Sequence, residues 1–82
     1  MKIVMRYDVG SGPTMLAIQP STFIKWEKAH NRTTASLAEN LGLADMAFLV
    51  HTQLEKNGDK PGTLDTWTDT LADIGDEGSD PT

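Results

Sequence analysis

The first part of the chain alternates apolar and polar residues. The odd positions from Ile3 to Val9 are apolar, and the even positions between them are charged except for Val4. A period of two residues is typical of a β-strand with one buried face. The turn-forming residues Gly10–Pro13 follow, and a short apolar segment after them can form the returning strand. The pattern predicts a β-hairpin over residues 2–19, which must pack on other elements because isolated hairpins are only marginally stable.

Beyond the hairpin, apolar residues recur every three or four positions, which is the spacing of an amphipathic helix. Pro20 suits a first helical turn because its missing N–H is not needed there. In the last such segment, Leu64, Trp67, Leu71 and Ile74 are separated by three, four and three positions. The spacing predicts four helices, over about residues 21–30, 34–41, 44–57 and 64–74.

These elements indicate an α+β fold that is mainly α. We expect a short N-terminal β-hairpin packed on a bundle of about four short helices, forming a single compact domain over residues 1–74. Residues 75–82 are acidic and rich in Gly, Ser, Asp and Pro, so we expect a disordered acidic C-terminal tail.

Charge is distributed unevenly along the chain. Residues 1–60 carry seven basic and six acidic side chains, whereas residues 61–82 carry six acidic side chains and no basic one, which gives the net charge of −5. An acidic segment of this kind repels phosphate groups and argues against nucleic acid as a partner. A role in solubility alone would equally account for the charge.

Length and composition exclude several other classes. The 82-residue chain has no cysteine, so it has no disulfide and no thiolate zinc site. The apolar run Ile3–Met5 near the N-terminus is too short for a signal peptide or a membrane span. We therefore expect an intracellular domain without a membrane partner.

The candidate chemical groups do not form a catalytic or metal-binding motif. The two histidines, His30 and His51, lie on different predicted helices and lack the HExxH spacing. Glu27 and His30 share a helix face and could form a site with His51, but ordinary histidines on the flanks of helices are the interpretation that the pattern favours. Asp65, Asp69 and Asp73 form an acidic stripe with a spacing of four residues, which is typical of a solvated helix face rather than an oxygen cage for a cation. We expect no enzyme activity, no cofactor and no metal.

Residues 35–43 resemble the first helix and turn of a DNA-binding helix-turn-helix. The next helix would then read bases, but its first six residues, Ala44–Leu49, contain an acid and no basic or amide side chain. Reading helices need such side chains. A small DNA-binding regulator therefore stays an alternative whose spacing fits and whose chemistry does not.

A surface for another protein is the other possibility. Phe48 lies off the main apolar stripe of its predicted helix, next to Leu49, and Phe23 and Trp26 form an aromatic arc on the first helix. We expect these four residues to contact a partner or a second copy of the chain. The alternative is that they fill a thin core, with the hairpin covering Phe48.

Three blocks carry a resemblance to a known family. They are Phe23–Glu27 after the hairpin, Met46–Leu49 in the central helix, and Leu64–Leu71 followed by an acidic tail. Together, over about residues 20–74, they resemble a small tail assembly chaperone of long-tailed bacteriophages. At position 64 the chain has Leu where the family pattern has an aromatic residue.

The resemblance implies a non-catalytic late protein that binds the long, helical tape measure protein and keeps it soluble during tail assembly. It also implies several copies per tape measure, a location in the host cytoplasm and absence from the mature virion. A minor structural protein at the head–tail junction of the virion is a further alternative.

Overall fold

The computed structural model describes residues 3–33 and 41–76. Along the chain, the elements are β1 (Ile3–Asp8), β2 (Thr14–Ile18), α1 (Pro20–His30), α2 (Leu43–Lys56), α3 (Leu64–Thr68) and β3 (Asp73–Asp76). The strands form an antiparallel sheet in the order β2-β1-β3. The described residues therefore have a mixed α+β fold with a three-stranded sheet and three helices.

The predicted hairpin is confirmed. In its register Met5 of β1 lies opposite Leu16 of β2, so their side chains share the face that packs on the helices. The turn is held by the carboxylate of Asp8, whose Oδ1 accepts hydrogen bonds from the backbone N–H groups of Gly10 at 2.7 Å and Gly12 at 3.2 Å. Both glycines have positive φ angles, of 106° and 109°, which explains glycine at both positions.

Helix α2 is the central element, because it contacts all three strands and both other helices. The core lies around it and contains these buried apolar residues: Met5, Ile18, Phe23, Trp26, Met46, Ala47, Leu49, Val50, Leu54 and Trp67. Both α1 and α2 begin and end within about one residue of the predicted bounds. Within the described residues, no helix is long and apolar enough to cross a membrane.

The predicted helix over residues 64–74 is wrong in its second half. Helix α3 ends at Thr68, and the backbone N–H of Ala72 then donates to the carbonyl oxygen of Asp8 at 2.7 Å. From there the chain runs as β3 along the free edge of β1, with Ile74 opposite Tyr7. The Ile74 side chain, which was expected on a helix face, therefore projects from a strand and is half-buried. Asp73, expected on the acidic face of the same helix, also belongs to β3.

A run of threonines explains locally why α3 ends at Thr68. The hydroxyl groups of Thr68 and Thr70 donate to the backbone carbonyls of Asp65 and Trp67, three residues earlier. Such bonds compete with the helical ladder, and β-branched residues lose side-chain freedom in a helix. Only the first turns are retained, where Thr63 caps the helix by accepting from the N–H of Thr66 at 3.2 Å.

Three further expectations concern the number of helices, the segment over residues 34–41 and the C-terminal tail. The bundle of about four helices is not found in the described residues, where three helices pack with a sheet that has gained a third strand. The predicted helix over residues 34–41 falls almost entirely outside the described residues. The disordered tail was expected to begin at residue 75, but Gly75 belongs to β3, and residues 77–82 lie outside the described ranges.

Candidate protein-binding site

Three of the four residues that were expected to contact a partner are buried. Phe23, Trp26 and Leu49 expose 3%, 0% and 0% of their surface. The expectation that they lie at the surface is corrected, because α1 packs its aromatic side against α2 and Leu49 lies on the buried side of α2. The indole of Trp26 is fixed there by donating to Oδ1 of Asp45 at 3.1 Å.

Phe48 is half-buried and packs against the core from its edge. Its neighbour is His30 of α1, whose ring meets the Phe48 ring edge-on at 5.0 Å and stacks on Trp26 at 5.0 Å. The guanidinium of Arg32 lies over the Trp26 ring, 5.7 Å from its centroid. The alternative interpretation had the hairpin covering Phe48, but the ring that packs on Phe48 is that of His30 in α1.

An apolar groove that no other described residue covers lies elsewhere, between the first turns of α2, helix α3 and the start of β3. Its volume is about 610 Å³. Its apolar lining residues are Leu43, Ala44, Ala47, Leu64, Leu71, Ala72 and Ile74. Leu43 is 68% exposed at its mouth, although it is a large apolar side chain. The arrangement is suited to taking the side chains of an apolar helix, because alanines leave space between the larger leucine and isoleucine side chains.

The wall formed by α3 and β3 is acidic. Asp65 and Asp73 line the groove together with the apolar residues, and none of the described residues that line it is basic. Asp73 Oδ2 is paired with Nε of Arg6 at 3.2 Å, but its side chain stays 57% exposed. The groove therefore presents apolar surface bordered by carboxylates.

Among the described residues, the other large exposed apolar side chains are Val9, Met15 and Ile24. Ile24 on α1 is 50% exposed and Met15 on β2 is 56% exposed, but neither lines this groove. Scattered exposed apolar residues are normal in soluble domains. Leu43 differs from them because it is continuous with a concave apolar surface.

A buried polar cluster was missed at the sequence level. Gln53 accepts hydrogen bonds from the Gln19 backbone N–H at 2.9 Å and the Thr22 hydroxyl at 2.6 Å. Its Nε2 donates to the side-chain oxygens of Gln19 and Asn57. The signal was present, because Gln53 follows Val50 by three positions on the apolar stripe of α2. The cluster is satisfied internally and joins the hairpin, α1 and α2.

The histidines have structural partners. His51 Nε2 lies 2.8 Å from the carbonyl oxygen of Gly62, and its ring meets Trp67 edge-on at 5.6 Å. His30 Nδ1 lies 3.0 Å from the Trp26 carbonyl oxygen. Among the described residues, no three histidine or carboxylate side chains are placed to hold a metal ion.

In the helix-turn-helix alternative, the second helix corresponds to α2, whereas the first helix falls mostly outside the described residues. In the first turn of α2, the side chain of Asp45 is engaged with the Gly42 N–H at 3.1 Å and with the Trp26 indole. Met46 and Ala47 are buried. The exposed residues of this turn, Leu43 and Ala44, offer no hydrogen-bonding side chain to a base edge.

No protein-family model, curated protein or solved structure matches this chain.

Proposed function

We propose that the chain is a non-catalytic tail assembly chaperone of a long-tailed bacteriophage, which binds and solubilises the tape measure protein while the tail is assembled. The observation that carries the proposal is the uncovered apolar groove beside Leu43, which is 68% exposed. A chaperone of this kind must offer apolar area to a partner helix and remain soluble itself. The resemblance of the three sequence blocks gives the partner its identity.

The binding surface proposed here differs from the one expected from the sequence. The groove replaces Phe23, Trp26 and Leu49, which are core residues. Burial of apolar area contributes roughly 25 cal/mol per Å², so one shallow groove gives modest affinity. Several copies bound along one tape measure would add by avidity. Such a protein acts in the host cytoplasm and is absent from the finished virion.

The test is co-expression of the tape measure protein with the wild-type chain, Leu43→Ser or Ile24→Ser. Both substitutions replace a large exposed apolar side chain, but only Leu43 lines the groove. We expect soluble, co-purifying tape measure to fall roughly tenfold with Leu43→Ser, the effect of losing the burial of part of a leucine. Ile24→Ser should leave it unchanged. Equal capture by all three chains would overturn the proposal.

Two further measurements separate the alternatives. A DNA-binding regulator would retard a DNA duplex in a gel and lose affinity steeply with salt. A head–tail structural protein would be found by mass spectrometry of purified virions. We expect neither result.

A further inference from the structure

We propose that the groove prefers an amphipathic helix whose apolar stripe is flanked by lysine or arginine. This inference rests on the proposed function, and it adds the charge of the partner segment to it. In the part of the chain that the structure describes, the groove lining contains two carboxylates, those of Asp65 and Asp73, and no basic side chain.

Surrounding residues reinforce this sign of charge. Residues 61–76 contain four aspartates and no lysine or arginine. Charges within the Debye length of about 8 Å at physiological salt act on a bound helix, and of these aspartates Asp65 and Asp73 line the groove itself. A flanking cation can approach Asp65, which is exposed, and the half-exposed carboxylate of Asp73.

Two groups oppose this field. Arg6 neutralises part of the charge on Asp73 through the 3.2 Å ion pair. The N-terminus of α2 also faces the groove and carries a partial positive charge of about half a unit. The carboxylate of Asp45 lies in that first turn and bonds the Gly42 N–H, which offsets the helix dipole. The net charge around the groove therefore remains negative.

The same balance disfavours a second copy of this chain as the occupant. The chain has a net charge of −5, and its own acidic wall would approach another acidic molecule. A partner with basic flanks gains favourable charge contacts at the rim of the groove. Each exposed ion pair there adds a small but measurable amount to the binding free energy.

The experiment uses three labelled helical peptides with one identical leucine and alanine face, flanked by lysine, glutamine or glutamate. They are titrated with the full-length chain at low and high salt, and binding is followed by fluorescence anisotropy. We expect the lysine peptide to bind most tightly and the glutamate peptide least, with differences that shrink at high salt. The variants Asp65→Asn and Asp73→Asn should each weaken the lysine peptide by about two- to fivefold and leave the glutamine peptide unchanged.

Asp59→Asn is the matched control. It removes the same charge from an exposed position outside the groove, so it should not change the order of the peptides. Equal affinities for the three peptides, or an equal effect of Asp59→Asn, would overturn the charge preference. In that case, loss of binding in Leu43→Ser would still support the apolar groove. Unchanged binding in Leu43→Ser would overturn both, and so would self-association of the chain through the groove that excludes the peptides.

Discussion

The hydroxyl group of Thr22 donates a hydrogen bond to the Oε1 atom of Gln53 at 2.6 Å, in a part of the core where the two residues expose 0% and 1% of their surface. The same oxygen accepts from the Gln19 backbone N–H, at the junction between β2 and α1. This single carboxamide therefore connects the end of the hairpin to the central helix.

Replacing the carboxamide should destabilise the fold strongly. Gln53→Met keeps a similar side-chain length but leaves the Thr22 hydroxyl and the Gln19 N–H without their acceptor. We expect the free energy of unfolding to fall by about 2–4 kcal/mol, since each buried unpaired group costs about 1–3 kcal/mol. Urea unfolding followed by circular dichroism measures the change.

The double-mutant cycle provides the control. Thr22→Val removes one of the two donors that Gln53→Met leaves unpaired. Gln53→Met should therefore lower the free energy of unfolding by about 1 kcal/mol less in that background. Strictly additive losses would mean that the 2.6 Å contact does not contribute to stability.

The start of α2 leads to a second prediction. Asp45 accepts from the Gly42 N–H through one oxygen and from the Trp26 indole through the other, both at 3.1 Å. Asp45→Ala removes both acceptors, and we expect a loss of about 1–3 kcal/mol in the free energy of unfolding. Asp45→Asn keeps one acceptor oxygen and should lose less.

Tryptophan fluorescence during urea unfolding checks this prediction, with Asp59→Ala as the exposed acidic control. That control should change stability by less than about 0.5 kcal/mol. Comparable losses in Asp45→Ala and Asp59→Ala would show that charge, rather than these two hydrogen bonds, is responsible.

A third prediction concerns two glycines in different backbone conformations. A Cβ at Gly75 would lie 2.8 Å from Nη2 of Arg6, which is the far end of a flexible side chain. Gly75→Ala should therefore displace the guanidinium and disturb its pair with Asp73, a loss of about 0.2–1 kcal/mol. The lower entropy of the unfolded chain offsets most of this.

Gly12→Ala should cost more than Gly75→Ala, although nothing lies within 4 Å of its added Cβ. The reason is its φ of 109°, which an L side chain adopts only with strain of about 1–2 kcal/mol. Thermal denaturation of the two variants compares them directly. A larger loss of stability in Gly75→Ala would mean that the contact with Arg6 destabilises the fold more than backbone strain does.

The elements that were predictable from the sequence are those fixed by neighbouring residues. The alternation around Met5 and the turn at Gly10 and Gly12 specify the hairpin. Pro20 marks the start of α1 as expected. The hydroxyl of Thr22, two residues after Pro20, bonds Gln53 of another helix, which the local sequence does not indicate.

The third strand was not predictable because its partner is distant in sequence. Ile74 pairs with Tyr7 across most of the chain, and its spacing from Leu71 and Trp67 also fits a helix. Tertiary pairing overrides local periodicity in such cases. The groove was missed for the same reason, since one of its walls exists only when β3 lies beside α2.

The last prediction separates core residues from docking residues on the central helix. Leu49 has no accessible surface, so Leu49→Ala should lower the free energy of unfolding by about 2–5 kcal/mol. Phe48 is half-buried against His30, so Phe48→Ala should cost about 1–2 kcal/mol, and Leu43→Ala less than about 0.5 kcal/mol. Chemical denaturation measures the free energy of unfolding of the three variants and so tests this order. Near-ultraviolet circular dichroism shows whether the side-chain packing of each variant is retained.

Capture of the tape measure should follow the opposite order. Leu43→Ala should weaken capture in a chain that is still folded, whereas Leu49→Ala should affect it only in proportion to unfolding. If Leu49→Ala kept its stability and lost capture, Leu49 would be a contact residue that becomes exposed on binding. The apolar face that is buried in this fold would then be the docking surface, and the groove beside Leu43 would not.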